Sequence, residues 1–507
     1  MKQNGLEKTL AVVLGGTMVA AMTVSSPAQA RDTKVALGIG SSYEHYSRSY
    51  DSDERAVQDG ASDSPVESDE TPRADERYNR LRITPLIALT NQSARDVLSL
   101  RYSPSLRYDE ESGDSDIDQN LQATLSYALT RDWDVRFGES YVLTDQNIRS
   151  DFGRGTGADG GGSASGDQLS DNEGLRRYWK NDLSFSTTYR YWEDSSFSLG
   201  YSLGHLTHTD VPATSRYEDY VRHGATLGVG HRLSSVWRLS ATGGYTRGLF
   251  EEAEQSGSDG QADGGGEVAV DNDLHEFRAS TTLESSHFEH HLLTLKYGFT
   301  GVEYDDVERN ATTVHDLTAG WQWQFAQDTS VYLGAGPSYS KAEEQEGNWG
   351  YNATASLRYT LERSTFEASL AHGYDVQNFT GTDESGLREY WQSRLDFSHQ
   401  LIKDVSLKMF TYYRNEDQED VTAQRAAATG DGTATDGQEP AITYETTTFN
   451  RERFGVGTSL GYTFARWYSM GVSYDYLVQD SEQKDDSYDE HRVVVSLSME
   501  MDVFNWQ

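Results

Sequence analysis

Apolar and polar residues alternate one by one over stretches of 9 to 11 residues, and this alternation limits the possible folds more than any other feature. Residues 121–129 read Leu-Gln-Ala-Thr-Leu-Ser-Tyr-Ala-Leu, and the pattern recurs over 98–108, 351–361 and 493–503. Side chains of a β-strand point alternately to opposite faces, so each stretch predicts a strand with one apolar and one polar face. Ordinary strands have about 5–6 residues, whereas a tilted strand that crosses a bilayer needs about 9–11.

The first 30 residues have the layout of a secretory signal peptide. Lys2 and Lys8 lie beside an apolar run of 15 residues, Leu10–Val24, and Ala28-Gln29-Ala30 matches an A-x-A cleavage site. The run is shorter than the about 20 residues that a transmembrane helix needs. We predict a cleaved signal peptide over 1–30 and a single barrel domain over 31–507, with a retained anchor as the alternative. No long apolar run follows residue 30, so only strands closed into a barrel could cross a membrane.

Short and long connections alternate along the chain. The short turns lie around 130–132, 193–195, 233–235, 327–329, 362–364, 402–404 and 465–466. The longer, acidic connections span 51–76, 147–173, 251–271, 343–348, 379–385, 417–443 and 481–488. Short turns at one end and long loops at the other are the plan of outer-membrane barrels. We predict an all-β fold: a transmembrane, antiparallel, up-and-down β-barrel of about 20 strands, with about 18 as the alternative, in the bacterial outer membrane.

The composition fits a barrel wall and excludes other classes of protein. Hydrophobic residues are 36% of the chain, below the roughly 45–50% of soluble domains. Aromatic residues reach 11%, which excludes simple disorder. The net charge of -38 excludes a nucleic-acid partner, since nucleic-acid binding needs a basic surface.

Four tryptophans lie beside short turns, where an interfacial aromatic girdle is expected. They are Trp133, Trp192, Trp237 and Trp467.

Three segments carry a family resemblance: 82–90 (Arg-Ile-Thr-Pro-Leu-Ile-Ala-Leu-Thr), 100–108 (Leu-Arg-Tyr-Ser-Pro-Ser-Leu-Arg-Tyr) and 125–136 (Leu-Ser-Tyr-Ala-Leu-Thr-Arg-Asp-Trp-Asp-Val-Arg). The chain resembles the porin type 2 family of β-barrel proteins, and the resemblance in general sequence pattern extends over most of the mature chain. The resemblance implies an outer-membrane protein, and it implies a link to exopolysaccharide export because several family members are associated with that process. It implies no catalytic motif. Trp506 is penultimate, which departs from the aromatic last residue common in such barrels.

The strand period predicts that a set of cations faces the lumen, because a cation facing lipid at mid-bilayer costs about 2–4 kcal/mol. The predicted pore-lining residues are Arg101, Arg107, Arg136, Arg190, Arg238, Lys296, Arg358, Arg394 and Lys408. Such residues could draw an anionic solute through a charged constriction. The alternative is that they pair with acidic neighbours across strands and only stiffen the barrel.

No enzyme site, metal site or cofactor site is predicted. The G-x-S-x-G strings around Ser202 and Ser459 lie inside alternating strands, whereas a nucleophile elbow needs a sharp turn. His287, His290 and His291 lack further ligand spacing, so a polar rim is predicted rather than zinc binding.

The loops at 155–166, 257–266 and 429–437 are rich in Gly, Asp and Ser without matching a calcium-loop spacing. They are expected to be solvated and flexible; weak cation bridging at the cell surface, or folding inward to narrow a pore, is the alternative.

The function predicted is a porin-like channel for small polar solutes or saccharides. The alternative is a plugged barrel that acts as a structural or adhesive scaffold through its acidic loops. The expected partners are outer-membrane lipid and lipopolysaccharide, the barrel assembly machinery and a polysaccharide.

Overall fold

The structure is a computed structural model that describes residues 31–50, 75–145, 176–209, 217–251, 272–305, 311–342, 347–381, 386–425, 442–483 and 486–506. The predicted signal peptide and the loops at 155–166, 257–266 and 429–437 lie outside these residues. The strand segments are β1 (Asp32–Tyr50), β2 (Glu76–Gln92), β3 (Asp96–Tyr102), β4 (Ser105–Asp109), β5 (Ser115–Ala128), β6 (Trp133–Thr144), β7 (Tyr178–Trp192), β8 (Ser195–His208), β9 (Asp219–Arg232), β10 (Trp237–Glu251), β11 (Leu274–Ser285), β12 (His291–Tyr304), β13 (Thr312–Ala326), β14 (Thr329–Ala342), β15 (Asn348–Thr360), β16 (Ser364–Gln377), β17 (Gly386–Ile402), β18 (Val405–Arg425), β19 (Ile442–Phe464), β20 (Tyr468–Ser481) and β21 (Tyr488–Trp506).

The strands form one antiparallel sheet that closes on itself. Each strand pairs with its neighbours in the chain, and β1 pairs with both β2 and β21. β3 and β4 are the two halves of one interrupted strand, since both pair with β2 and β5. The barrel therefore has 20 strands, and the predicted fold class is confirmed.

Two sequence predictions about strand limits were wrong. The alternation over 98–108 predicted one continuous strand, but the ladder breaks at Ser103 and Pro104 because proline has no backbone N–H to donate. The predicted loop at 417–443 is partly strand, because β18 continues to Arg425 and β19 begins at Ile442.

The two ends of the barrel differ. The connections at one end, here called the short-turn end, are as short as Glu193–Asp194 and no longer than 286–290. Both the start of β1 and the end of β21 lie there, with Thr33 opposite Trp506. The other end, called the loop end, carries the long acidic connections.

The outer face of the wall is apolar and exposed, as the predicted alternation requires. In β1, Leu37 and Ile39 point outward, while Gly38 and Gly40, which alternate with them, face inward. The belt continues around the barrel with Ile83, Ile87, Leu199, Leu227, Leu295, Leu333, Leu370, Leu395, Met409, Leu460 and Leu497. Among the described residues, no helix has the length and apolar character that a membrane span requires.

We expect Leu497→Arg to lower the free energy of unfolding by about 2–4 kcal/mol, the cost of a lipid-facing cation near mid-bilayer. Leu497 lies at the middle of β21 and is 46% exposed on the outer face. Ser498→Arg is the matched control, because Ser498 faces inward opposite Gly40 and has space beside it. Urea unfolding of both variants in lipid vesicles measures the difference; equal losses would contradict the assignment of faces.

Candidate functional site: the barrel lumen

The inner face of the barrel has an open half and a filled half. Near the short-turn end, inward-facing cations such as Arg136, Lys296 and Lys408 are exposed. Near the loop end, Arg48 and Arg451 also face inward, yet both are 0% exposed. The lumen is therefore wide toward the short turns and constricted toward the loops.

All nine cations predicted to line a pore lie on the inner face. Each is opposite an inward-facing residue of the neighbouring strand; Arg358 is opposite Glu367, for example. The set is Arg101, Arg107, Arg136, Arg190, Arg238, Lys296, Arg358, Arg394 and Lys408. That they line a conducting pore stays a prediction.

Five of these cations have carboxylate partners, and in four cases the partner is on another strand, as the pairing alternative predicted. The N–O distances are 3.6 Å for Arg101–Glu500, 3.5 Å for Arg107–Asp118, 2.5 Å for Arg190–Asp134, 3.3 Å for Arg358–Glu367 and 2.6 Å for Arg394–Asp396. These charges are largely neutralised where they stand.

The other four cations have no ion pair in the described part of the chain: Arg136, Arg238, Lys296 and Lys408. All four are exposed and lie close to the short-turn end of their strands. Arg238 is opposite Glu284 in the ladder, but their charged atoms are not within 4.0 Å. The wide half of the lumen therefore carries four unpaired cations against two inward carboxylates, Glu284 and Asp502, that also lack an ion pair among the described residues.

A buried cluster of charge fills one side of the constricted half. Glu416 is 1% exposed and accepts a hydrogen bond from Arg414 Nε at 2.7 Å. Its carboxylate is also within 3.5 Å of Arg388, 3.6 Å of Arg451 and 3.9 Å of Arg453. Four guanidinium groups from β17, β18 and β19 thus converge on one carboxylate.

A second network continues the charge around the wall. Glu44 on β1 binds Arg492 at 2.6 Å and lies 3.5 Å from Arg82. Asp118 lies 3.5 Å from both Arg82 and Arg107. These contacts join β21, β1, β2, β4 and β5, so adjacent strands are cross-linked by charge over this part of the wall.

Sequence analysis missed Arg414, Glu416, Arg451 and Arg453. Residues 414–420 read Arg-Asn-Glu-Asp-Gln-Glu-Asp, which is polar on both faces of the strand. Hydropathy cannot separate the two faces of such a segment. Counting the strand period onward from Lys408 would have placed residues 414 and 416 on the inner face.

The opposite side of the constricted half is apolar. An inner apolar patch on β8 to β13 consists of Leu206, Tyr220, Phe250, Leu274, Val302 and Val314, all of which face inward. Leu206, Leu274 and Val302 are fully buried. Apolar residues are unexpected on the inner face of a barrel, whose lumen is normally polar.

The last part of β16 and the four residues that follow it cover this patch. We call residues 373–381 the folded-in arm. Val376 joins Leu274, Val302 and Val314 in one buried cluster. Beyond it, the ring of Phe379 lies 5.3 Å from the ring of Tyr220 and 5.7 Å from that of Phe250.

Hydrogen bonds fix the arm across the lumen. Arg278 Nη2 donates to the carbonyl of Val376 at 3.2 Å, and Asn378 Nδ2 donates to Glu276 Oε2 at 2.9 Å. The backbone N–H of Glu218 donates to the carbonyl of Gly381 at 3.0 Å. The arm therefore spans from β16 to β9 and β11, and it narrows the lumen.

The four predicted girdle tryptophans lie beside short turns and are exposed. Trp133 Nε1 donates to Thr187 Oγ1 at 2.5 Å. The guanidinium carbon of Arg466 lies over the ring of Trp467, 4.9 Å from its centroid. Trp192 is 69% exposed. Their place at a lipid–water interface stays a prediction.

The remaining motifs occupy ordinary positions. Ser202 and Ser459 lie within β8 and β19. His290 is in a turn with a φ of 64°, and the ring of His291 stacks on those of Trp321 and Trp323. No group of three metal-ligating side chains occurs among the residues that the structure describes.

The class of the protein follows from the wall itself. A closed, even-stranded antiparallel barrel with an apolar outer belt, a largely polar inner face and short turns at one end is the architecture of bacterial outer-membrane proteins. The chain is a transmembrane β-barrel of the bacterial outer membrane.

Solved structures of outer-membrane proteins are similar to this chain in fold. The siderophore receptor PirA from Pseudomonas aeruginosa has a TM-score of 0.44 and 10% identity, covering 94% of this chain and 81% of its own. OpdQ from Pseudomonas aeruginosa has a TM-score of 0.39 and 11% identity, covering 93% and 98%. OccAB2 from Acinetobacter baumannii has a TM-score of 0.39 and 7% identity, covering 92% and 98%. No family model matches the sequence, and no curated protein matches it.

We expect Glu416→Gln to lower the free energy of unfolding by about 3–5 kcal/mol, because it leaves buried guanidinium charge uncompensated. Glu367→Gln is the control. Its pair with Arg358 is exposed, so the loss should stay below about 1 kcal/mol. Urea unfolding in vesicles measures both variants. A loss for Glu416→Gln as small as that of the control would show that the cluster does not depend on this carboxylate.

Proposed function

We propose that the protein is a porin-like channel that passes small polar solutes and favours anions. The observation that carries this proposal is the exposed, unpaired set of Arg136, Arg238, Lys296 and Lys408 on the inner face of the wide half. A barrel of about 16–18 strands already leaves an aqueous channel, and this barrel has 20. Rings of basic side chains select anions in pores.

The constricted half sets the size of the solute. The folded-in arm and the cluster around Glu416 occupy opposite sides of the lumen near the loop end. Both features narrow the passage, because the arm covers the apolar patch on one side and the buried charge cluster fills the other, and this favours small solutes such as short saccharides or organic acids. A connection with exopolysaccharide export, and membership of the porin type 2 family, rest on the sequence resemblance alone.

A second candidate function is a closed barrel that serves as a surface scaffold. The complete burial of Arg48 and Arg451 on the inner face favours it, since these residues would be solvated in an open pore. In this case the acidic loops, and not the lumen, would be the working part.

The proposed partners are those of any barrel in this membrane. The exposed apolar belt would contact outer-membrane lipid and lipopolysaccharide. The C-terminal strand would be bound by the barrel assembly machinery. Trp506 stacks on Phe504 at 5.4 Å at the end of that strand, although it is not the last residue. A polysaccharide is the proposed partner if the channel serves export.

Conductance in planar bilayers tests the channel. The refolded protein without residues 1–30 should give steady conductance steps, and the reversal potential across a salt gradient should indicate anion preference. A variant with Arg136→Gln, Arg238→Gln, Lys296→Gln and Lys408→Gln should shift the reversal potential toward cation preference, because it removes the unpaired positive charge from the lumen.

A matched control removes the same number of cations from short turns instead: Arg95→Gln, Arg131→Gln, Lys403→Gln and Arg466→Gln. It should leave the reversal potential nearly unchanged. Equal shifts in both variants would refute selectivity by the lumen. Correctly inserted protein that never conducts would refute the channel and favour the scaffold.

A further inference from the structure

The wall of the barrel is open along part of one strand pair. The ladder between β15 and β16 begins at Thr360–Thr365 and ends at Ala353–His372. β15 continues to pair with β14 as far as Asn348, and β16 continues to pair with β17 as far as Gln377. Above His372, the edge of β16 therefore leaves β15 and rolls into the lumen as the folded-in arm.

The strand period of the arm is that of a wall strand. Continuing the register beyond Ala353–His372 would place Tyr374 opposite Tyr351 and Val376 opposite Trp349 on the outer face. The same register would place Asp375 opposite Gly350 on the inner face. Apolar residues would then face lipid and polar residues would face the lumen, as in the rest of the barrel.

In the present structure this pattern is reversed for the arm. Val376, which has the period of a lipid-facing residue, is packed against Leu274 and Val302 inside the barrel. Tyr374 lies behind β15, with its hydroxyl 2.6 Å from the point that a Cβ on Gly350 would occupy. Trp349, the residue that would neighbour Val376 in the wall, is 76% exposed.

Two opposing free energies act on the position of the arm. The folded-in position buries Val376 and Phe379 against the inner apolar patch. The in-wall position would instead give cross-strand partners to the strand edges of 348–352 and 373–377 that now face each other unpaired, and an unpaired strand edge is unfavourable. The packing of Val376 and Phe379 accounts for the presence of an apolar patch on an otherwise largely polar inner face.

A ring stack marks the point where the strands separate. His372 is buried between Tyr351 and Trp391, with ring centroids 4.3 Å from each. Its Nδ1 hydrogen-bonds with the carbonyl of Tyr390 at 2.9 Å. This stack supports the last pair of the ladder and marks the point at which the arm begins.

We propose that the arm is the gate of the lumen: it closes the channel when folded in and opens it by pairing with β15 in the barrel wall. This inference rests on the proposed channel function. Opening would move Val376 and Tyr374 to the lipid face and withdraw Phe379 from the lumen. Such a switch between two packed arrangements is a known kind of gating transition.

Cysteine pairs test the two positions, and the chain has no cysteine of its own. Val302→Cys with Val376→Cys reports the folded-in position, and Trp349→Cys with Val376→Cys reports the in-wall position. Val376→Cys alone is the control for both. Each variant is inserted in vesicles, treated with a short bis-thiosulfonate linker and examined for internal cross-links by mass spectrometry.

Both cross-links should form, each in its own variant. Absence of the Trp349–Val376 cross-link would overturn the gate and make the arm a fixed constriction; absence of the Val302–Val376 cross-link would also overturn it. Adding Phe379→Ala should raise the yield of the in-wall cross-link several-fold, because Phe379 has its ring contacts only in the folded-in position. An unchanged yield would overturn the role of the apolar patch.

Conductance then separates the gate from the channel. The folded-in cross-link should lower conductance several-fold, with recovery on reduction, and the in-wall cross-link should raise it. If both cross-links form but no variant conducts, the moving arm stands and the channel function fails. If conductance is normal and identical in both cross-linked forms, the channel stands and the gate fails.

Discussion

The backbone hydrogen-bond ladder is the constraint on which the rest of this structure depends. Lipid offers no partner for a backbone N–H or C=O, so each strand must be paired on both sides. Closure of β1 on β21 meets this requirement for the sheet as a whole. The apolar belt, the inward cations and the two unlike ends are consequences of placing alternating strands in such a ring. Among the described strand pairs, β15 with β16 is the one whose ladder stops well before the loop end of the barrel, so this part of the wall most needs an explanation.

Charge and apolar contact divide the interior between them. The four arginines around Glu416, together with the Glu44 and Asp118 networks, join strands on one side of the constricted half. Buried ion clusters of this kind tolerate few substitutions, because loss of one partner leaves another buried charge without compensation. On the other side, Leu274 and Val302 bind the folded-in arm through apolar contact, which has no directional requirement. The rigid side and the adaptable side of the lumen thus differ in the type of interaction they use.

Much of the architecture could be predicted because the strand period is two and the membrane enforces it. The alternation at 121–129 and the cations at Arg136 and Lys408 were assigned to the correct faces, since a wrong face would be costly in lipid. The break at Pro104 was not predicted, because the alternation of apolar and polar residues continues across it. The buried residues Arg414 and Glu416 were missed because their surroundings are polar on both faces, so that hydropathy alone does not distinguish inward from outward.

By itself, the sequence determined the all-β class, the closed barrel and the face on which the cations of the strands lie, because period-two alternation leaves one apolar and one polar face for each strand. The tertiary structure alone decided which of these cations are neutralised, since ion pairs such as Arg190–Asp134 depend on the register between strands. It also decided the position of residues 373–381. Their sequence fits the barrel wall, and only the apolar patch on β8 to β13, far away in the chain, makes the lumen an alternative place for them.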